Sequence, residues 1–127
     1  MSEYQLDFIR RYRSLFHSYR NFPLPVIICN CQWKVHFSNE LANRYYEGAT
    51  TTQGLANLLG EFDREKLLKQ ATETGNCTLK EVLPLSGINL SITPILEGEE
   101  PAGLILMLIR MDNYIDSKVY YQSTRIA

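Results

Sequence analysis

The stretch LPVIICNCQWKVHFSNELANRYYEG, residues 24–48, decides the fold because it encodes two strands and a helix in one run. Val26 to Cys29 is short and apolar and follows Pro23 and Pro25, which is typical of a strand buried on both faces. Residues 35–38 alternate apolar and polar side chains, which predicts a half-exposed strand that returns antiparallel after a polar turn. The first half of the stretch therefore predicts a β-hairpin.

A short helix is predicted directly after the hairpin. Ser38 or Asn39 is expected to accept a backbone N–H as the N-cap, and Gly48 is expected to supply a left-handed C-cap. Between these two ends, apolar residues recur at helical spacing: Leu41, Ala42, Tyr45 and Tyr46.

The last predicted strand matches the first in character. Residues 104–109 are continuously apolar, like residues 26–29, so both strands are expected to be central neighbours covered on both faces. After the hairpin the patterns predict short helical turns over 50–59 and a helix over 63–74 capped by Asp63 and ended by Gly75. Three strands are then predicted within 76–111, and this last apolar strand is the third of them.

The succession of these elements resembles the PAS (Per-Arnt-Sim) sensory domain over roughly residues 23–112. The resemblance is carried by the LP-initiated strand, the polar turn, the second strand ending in Asn39, then Ala42, a bulky pair and Gly48. It implies an α+β fold: a PAS-like five-stranded antiparallel sheet with helices on one face and an N-terminal amphipathic helix on the other. The expected organisation is a capping or dimerisation helix over 1–22, the PAS domain over 23–112 and a linker or signalling helix over 113–127.

Residues 3–20 are predicted to form the amphipathic helix. It is expected to cover the outer face of the sheet, and the resemblance implies that it pairs with its twin in a homodimer. An aromatic stripe fits packing on protein, so a membrane partner is not expected. The stripe, which is also the candidate dimer interface, contains Phe8, Ile9, Tyr12, Leu15, Phe16 and Tyr19.

Composition limits the possible partners. The chain has 127 residues, the length of one domain, and 13 basic residues oppose 14 acidic ones for a net charge of −1. This balance creates no field that would favour nucleic acid or a membrane surface. The chain contains neither an apolar run near the ~20 residues of a spanning helix nor the apolar centre of a signal peptide, so a cytoplasmic location is expected.

No catalytic motif stands out in the sequence. There is no Gly-rich phosphate loop and no nucleophile elbow, and neither His17 nor His36 lies in a recognisable motif, so no enzyme is predicted. His36 is expected to be exposed on an edge strand. Cys29 and Cys31 could approach a metal together with His36, but a fourth ligand is not evident, so no metal is predicted.

The resemblance implies a non-catalytic PAS sensory or dimerisation module of a cytosolic signalling protein, such as a histidine kinase or a transcription regulator. Its effector domain would lie in the same chain or in a partner protein. Asp112 is the candidate residue for signal output, although Asn113 and Tyr114 replace the other two positions of the family's output motif. The alternatives are a small cone-like α+β enzyme or ligand-binding fold, and a constitutive dimerisation scaffold.

A small ligand between the sheet and the helices is a further expectation that the resemblance allows. The sequence identifies no cofactor for this place, and the same apolar residues would also be needed to fill an ordinary core. The candidate pocket residues are Tyr45, Tyr46, Leu58, Leu59, Leu68, Ile92 and Met107.

Overall fold

A five-stranded antiparallel sheet forms the centre of the protein in a computed structural model that describes residues 3–83 and 87–110. The strands are β1 (Val26–Asn30), β2 (Val35–Ser38), β3 (Cys77–Leu83), β4 (Ile88–Glu97) and β5 (Glu100–Arg110). They lie in the order β2-β1-β5-β4-β3, with every neighbouring pair antiparallel.

The two continuously apolar strands are central neighbours, as the sequence predicted. β1 pairs with β5 from Val26 opposite Met107 to Asn30 opposite Gly103, and all five residues of β1 are buried. An unbroken apolar run suits this position because its alternate side chains enter two different apolar layers.

Helices cover the inner face of the sheet. They are α3 (Glu40–Tyr45), α4 (Thr52–Leu59) and α5 (Arg64–Thr74), with a 3₁₀ turn at Glu47–Ala49 between the first two. Side chains from β1, β4 and β5 pack with those of the helices in one buried cluster. Its fully buried members include Ile27, Leu55, Leu59, Leu90, Ile92, Leu104 and Leu106.

The N-terminal segment covers the outer face. It consists of α1 (Glu3–Arg11) and α2 (Arg13–Tyr19). Phe8 and Phe16 are buried against Val26, Ile28 and Ile105, the side chains that point away from the inner helices. The predicted architecture is therefore confirmed: a five-stranded antiparallel sheet with helices on one face and the amphipathic N-terminal segment on the other.

The single N-terminal helix expected over residues 3–20 is interrupted at Tyr12. Tyr12 has φ −108° and ψ 18°, but its amide still donates to the Phe8 carbonyl at 3.1 Å and its carbonyl still accepts from Phe16 N at 3.0 Å. The interruption is thus a local distortion of one helical path. It coincides with a hydrogen bond from the Tyr12 hydroxyl to Glu97, 85 residues away in the chain, which no local pattern indicates.

Three of the four predicted helix ends are confirmed. Asn39 caps α3 by accepting from Ala42 N, Asp63 caps α5 by accepting from two backbone amides, and Gly75 ends α5 at φ 83°. Gly48 does not end α3, so that prediction is wrong. The helix stops at Tyr45 and the chain passes directly into the 3₁₀ turn, which contains Gly48.

Within the described ranges, every helix is too short or too polar to cross a membrane.

Candidate functional site

A cavity of about 380 Å³ opens on the inner face of the sheet, between the end of α3, the 3₁₀ turn, α4 and β5. We name it the helix-face cavity. Its wall is mostly apolar, Glu47 and Asn57 are its polar residues, and Tyr45 is 62% exposed. The lining residues are Tyr45, Tyr46, Glu47, Gly48, Ala49, Gly54, Asn57, Leu58 and Leu108.

A second cavity of about 300 Å³ shares part of this wall. Tyr45, Tyr46 and Leu108 line both cavities. The second one extends to residues 23–25, which link the N-terminal segment to β1, and to Arg110 at the end of β5. The shared wall therefore lies next to the start of β1 and the end of β5.

The structure brings only part of the predicted pocket together. Tyr45, Tyr46 and Leu58 line the helix-face cavity. Leu59 and Ile92 are fully buried in the inner core and do not line the helix-face cavity. Leu68 packs against the same core and lines a separate groove of about 310 Å³ along α5.

Met107 lies on the opposite face of the sheet from these residues. It packs against the cluster beneath the N-terminal segment, so its placement in a pocket facing the helices is wrong. Its neighbour Leu108 lines the helix-face cavity instead. Successive side chains of a strand point to opposite faces of the sheet. In a continuously apolar strand, the sequence does not show whether the odd-numbered or the even-numbered side chains face the helices.

A larger, more polar cleft of about 550 Å³ lies on the outer face. We name it the outer cleft. It is bounded by α1, the turn between β1 and β2, and the β4–β5 hairpin. Its lining residues are Asp7, Phe8, Arg11, Tyr12, Asn30, Cys31, Gln32, Glu97, Glu100, Pro101 and Ala102.

Glu97 joins the β4–β5 hairpin to the N-terminal segment across this cleft. Arg11 Nη1 donates to both carboxylate oxygens of Glu97 at 3.1 Å, and the Tyr12 hydroxyl donates at 2.6 Å. The hydrogen bond from Tyr12 holds the pKa of Glu97 below its ordinary value. Burial, with the bond to Glu97, raises the pKa of Tyr12 to about 12. The carboxylate and the neutral phenol are therefore the forms that this contact selects.

Replacing Tyr12 with phenylalanine is expected to raise the pKa of Glu97 toward 4.5, because the strongest influence that favours its ionised form is removed. The stabilisation from ionised Glu97 is present above pH 4.5 and is lost as the pH falls through the lowered pKa of the folded state. Carboxylate ¹³C chemical shifts measured against pH would follow this titration. Tyr19→Phe, a change in the same segment, serves as control, and an unmoved Glu97 titration in Tyr12→Phe would contradict the assignment.

Asn30 and His36 form a second contact beneath α1. Asn30 is 3% exposed, and its Oδ1 accepts from Gln32 N at 2.9 Å and Lys34 N at 3.0 Å. Its Nδ2 lies 3.3 Å from His36 Nε2, and the His36 ring stacks on Phe8 with centroids 4.6 Å apart. The contact joins α1 to both strands of the first hairpin.

His36 is therefore half-buried on its edge strand, and the expectation that it is simply exposed is wrong. Burial, together with the nearby Lys34 ammonium, lowers the pKa of His36. Sequence reasoning missed Asn30 and Glu97 altogether. An asparagine at a strand end before a turn is a weak signal for side-chain-to-backbone bonds of this kind, whereas no local signal marks Glu97.

The candidate dimer residues lie mainly against the sheet of their own chain. Phe8 and Phe16 are buried, and the Phe16 ring stacks on Phe37 of β2 with centroids 5.2 Å apart. The other four, Ile9, Tyr12, Leu15 and Tyr19, are half-buried around them. Asp112, the candidate for signal output, lies outside the described residues.

The three residues weighed as metal ligands lie in different surroundings. Cys29 is buried in the inner core, where burial raises the pKa of its thiol, whereas His36 stacks on Phe8 on the outer side. Cys31 donates to the Pro101 carbonyl at 3.3 Å in the outer cleft. In the part of the chain that the structure describes, no group of three or more His, Cys, Asp or Glu residues is placed to hold a metal ion.

Comparisons with known proteins find similarity only among solved structures. No protein-family model matches the chain, and no curated protein matches it significantly. Among solved structures, the chain is similar to a PAS domain from a two-component sensor histidine kinase, with 17% identity, a TM-score of 0.45, and 79% of this chain and 96% of that one covered. In its own strand order and its two helical layers, the chain has the PAS-like α+β fold that its sequence predicted.

Proposed function

We propose that the chain is a non-catalytic PAS sensory and dimerisation module of a cytosolic signalling protein, such as a histidine kinase or a transcription regulator. In this proposal a small apolar ligand occupies the helix-face cavity. The occupied cavity alters how the N-terminal segment is held on the other side of the sheet, and an effector domain in the same chain or in a partner responds.

The observation that carries this proposal is the position of β5 between the two layers. Leu108 of β5 lines the helix-face cavity, whereas Ile105 and Met107 of the same strand pack beneath the N-terminal segment. A ligand that shifts Leu108 therefore acts on the strand whose opposite side chains support α1 and α2. Packed layers of this kind respond to small displacements by changing between discrete arrangements.

The helix-face cavity has the features of a small-molecule site, although it is small. Its wall is concave and mostly apolar, and a few polar groups could fix the orientation of a ligand. Its volume of about 380 Å³ lies near the lower end of the range for such sites. The proposed ligand is accordingly small and apolar, with one group that can hydrogen-bond to Asn57 or Glu47.

A constitutive dimerisation scaffold is the second candidate, and one observation favours it. The space between α4, α5 and the sheet is filled by fully buried side chains, among them Leu55, Leu90 and Leu104. In this alternative the helix-face cavity is a packing defect at the edge of the core. Its homodimer would use the outward side of the N-terminal segment, where Leu6 is 38% exposed.

Native mass spectrometry of the purified full chain distinguishes the two candidates. We expect a dimer that carries additional mass, which is lost when the protein is denatured. Leu58→Trp should remove that additional mass because the indole fills the cavity, whereas Leu68→Trp should retain it because Leu68 lines a different groove.

The remaining outcomes decide against the sensory proposal in specific ways. A dimer without additional mass favours the constitutive scaffold. Additional mass that persists equally in Leu58→Trp places the ligand outside the helix-face cavity. A bare monomer contradicts both candidates, since neither a ligand nor a partner copy would then be present.

A further inference from the structure

The Asn30–His36 contact determines which nitrogen of His36 carries its proton. The amides of Gln32 and Lys34 are hydrogen-bond donors, so the Asn30 atom that faces both of them must be the oxygen. The Nδ2 amide of Asn30 is thereby directed at His36 Nε2, 3.3 Å away, as a donor. His36 Nε2 must then accept, which requires neutral imidazole with its proton on Nδ1.

Protonation of His36 removes this contact. In imidazolium both ring nitrogens are donors, so the Nε2–H group would oppose the Nδ2–H groups of Asn30. Asn30 cannot rotate its amide to compensate without giving up two backbone hydrogen bonds. A nearly fully buried donor would thus lose its partner, and the ring that supports Phe8 would be pushed from its place.

The stacking of Phe8 on His36 opposes this effect but is the weaker of the two. A cation over an aromatic face gains less at a partly exposed site than a buried donor costs when it is left without a partner. The net result disfavours imidazolium in the docked arrangement of α1.

We propose that His36 is a proton-sensitive contact that controls the docking of α1 on the sheet: neutral His36 holds Phe8 in place, and protonation releases it. This inference does not depend on a ligand in the helix-face cavity. It assigns to the N-terminal segment a response to acidification that involves only described residues of the chain.

The charged groups around His36 do not counteract this response. Lys34, in the same hairpin, disfavours the imidazolium by charge repulsion. In α1, Arg11 pairs with Asp7 at 3.6 Å. Arg11 also pairs with Glu97 of β4 at 3.1 Å. Glu100 lines the same cleft from β5 and is exposed. The acidic groups nearest to α1 are thus already engaged with Arg11.

The pH window follows from the direction of the shift. Because the pKa of His36 is lower in the docked state than its ordinary value of 6.5, the stabilising contribution is fully present above pH 6.5. It is lost as the pH falls through the lower pKa of the docked state. α1 should therefore be held at neutral pH and loosen under mildly acidic conditions.

Hydrogen exchange of the full-length protein, followed by mass spectrometry between pH 7.5 and 5.5 and corrected for intrinsic exchange rates, tests the proposal. We expect protection of residues 8–16 to fall on the order of tenfold, the scale of one lost hydrogen bond, while protection of β5 is unchanged. His36→Gln should make the protection pH-independent, because glutamine keeps an acceptor and does not titrate. His17→Gln, which changes the other of the two histidines, should behave like wild type.

Two results would overturn the proposal. One is protection of residues 8–16 that does not change with pH in the wild type or that changes equally in His36→Gln. The other is a tautomer assignment by ¹⁵N NMR at pH 7.5 that places the proton of His36 on Nε2. The NMR measurement stands even where a variant is destabilised, since it needs only the wild-type protein.

Discussion

Replacing Asn39 with alanine is expected to lower the free energy of unfolding by about 4 kcal/mol, because two buried backbone amides and a partly buried carbonyl would lose the side chain that they bond to. Asn39 is 2% exposed. Its Oδ1 accepts from Val26 N and Ala42 N, both at 3.0 Å, and its Nδ2 donates to Leu24 O at 2.8 Å. One amide thus joins the start of β1, the end of β2 and the first turn of α3.

The same side chain also reaches the end of the N-terminal segment, where Nδ2 lies 3.4 Å from Tyr19 O. Loss of an exposed N-cap alone costs about 1 kcal/mol. The larger value expected here comes mainly from the buried amide of Val26, which alanine leaves without this hydrogen bond and without room for ordinary hydration. The partly buried bond to the Leu24 carbonyl contributes a smaller part.

Urea unfolding followed by the fluorescence of Trp33, the chain's single tryptophan, measures this loss. Trp33 is buried in the inner core, so its emission reports exposure of that core. Asn43→Ala is the matched control, since exposed Asn43 bonds mainly to Ser38 and its loss should cost less than about 1 kcal/mol. Equal free energies of unfolding for the two variants would show that Asn39 acts only as the N-cap of α3 and that its bonds to Val26 and Leu24 add little stability.

The order of elements could be predicted because each rests on short-range patterns. The hairpin, the Asn39 cap, the Asp63 cap and the central pairing of β1 with β5 follow from periodicity, turn chemistry and the need to cover two apolar faces. These preferences act over a few residues, and the fold agrees with them nearly everywhere.

The candidate site was predicted less completely because it depends on contacts between distant segments. The bond from Tyr12 to Glu97 spans 85 residues, and the groove that Leu68 lines shares no residue with the helix-face cavity. The prediction for Met107 named the wrong face of the sheet. A strand that is apolar on both faces shows no alternation, so its sequence does not indicate which side chains face the helices.

Gly48 is a second residue whose role depends on a contact with another element, here the next helix, and could not be predicted from the local sequence. A glycine after an apolar helical pattern indicates a C-cap, but here the chain continues from α3 into a 3₁₀ turn that leads toward α4. Its carbonyl then lies against the backbone of Gly54 in the first turns of α4. The close approach of two glycines, invisible in the local pattern, forms one wall of the helix-face cavity.

Gly54→Ala is therefore expected to destabilise the protein by about 2–3 kcal/mol, the usual cost of overpacking a tight backbone contact. In an exposed helix interior the same substitution would stabilise by about 1 kcal/mol. The sign reverses here because a Cβ at Gly54 would overlap the carbonyl oxygen of Gly48 and lie 2.9 Å from Thr51 Oγ1, the atom that caps α4.

The matched control for this substitution is its partner across the contact. A Cβ at Gly48 meets no atom within 4 Å, so Gly48→Ala should change the free energy of unfolding by less than about 0.5 kcal/mol. Urea denaturation of both variants measures the difference. A Gly54→Ala protein as stable as the wild type would mean that α4 can move away from the 3₁₀ turn at little cost. The helix-face cavity would then have one yielding wall, and a ligand could widen it without acting on β5.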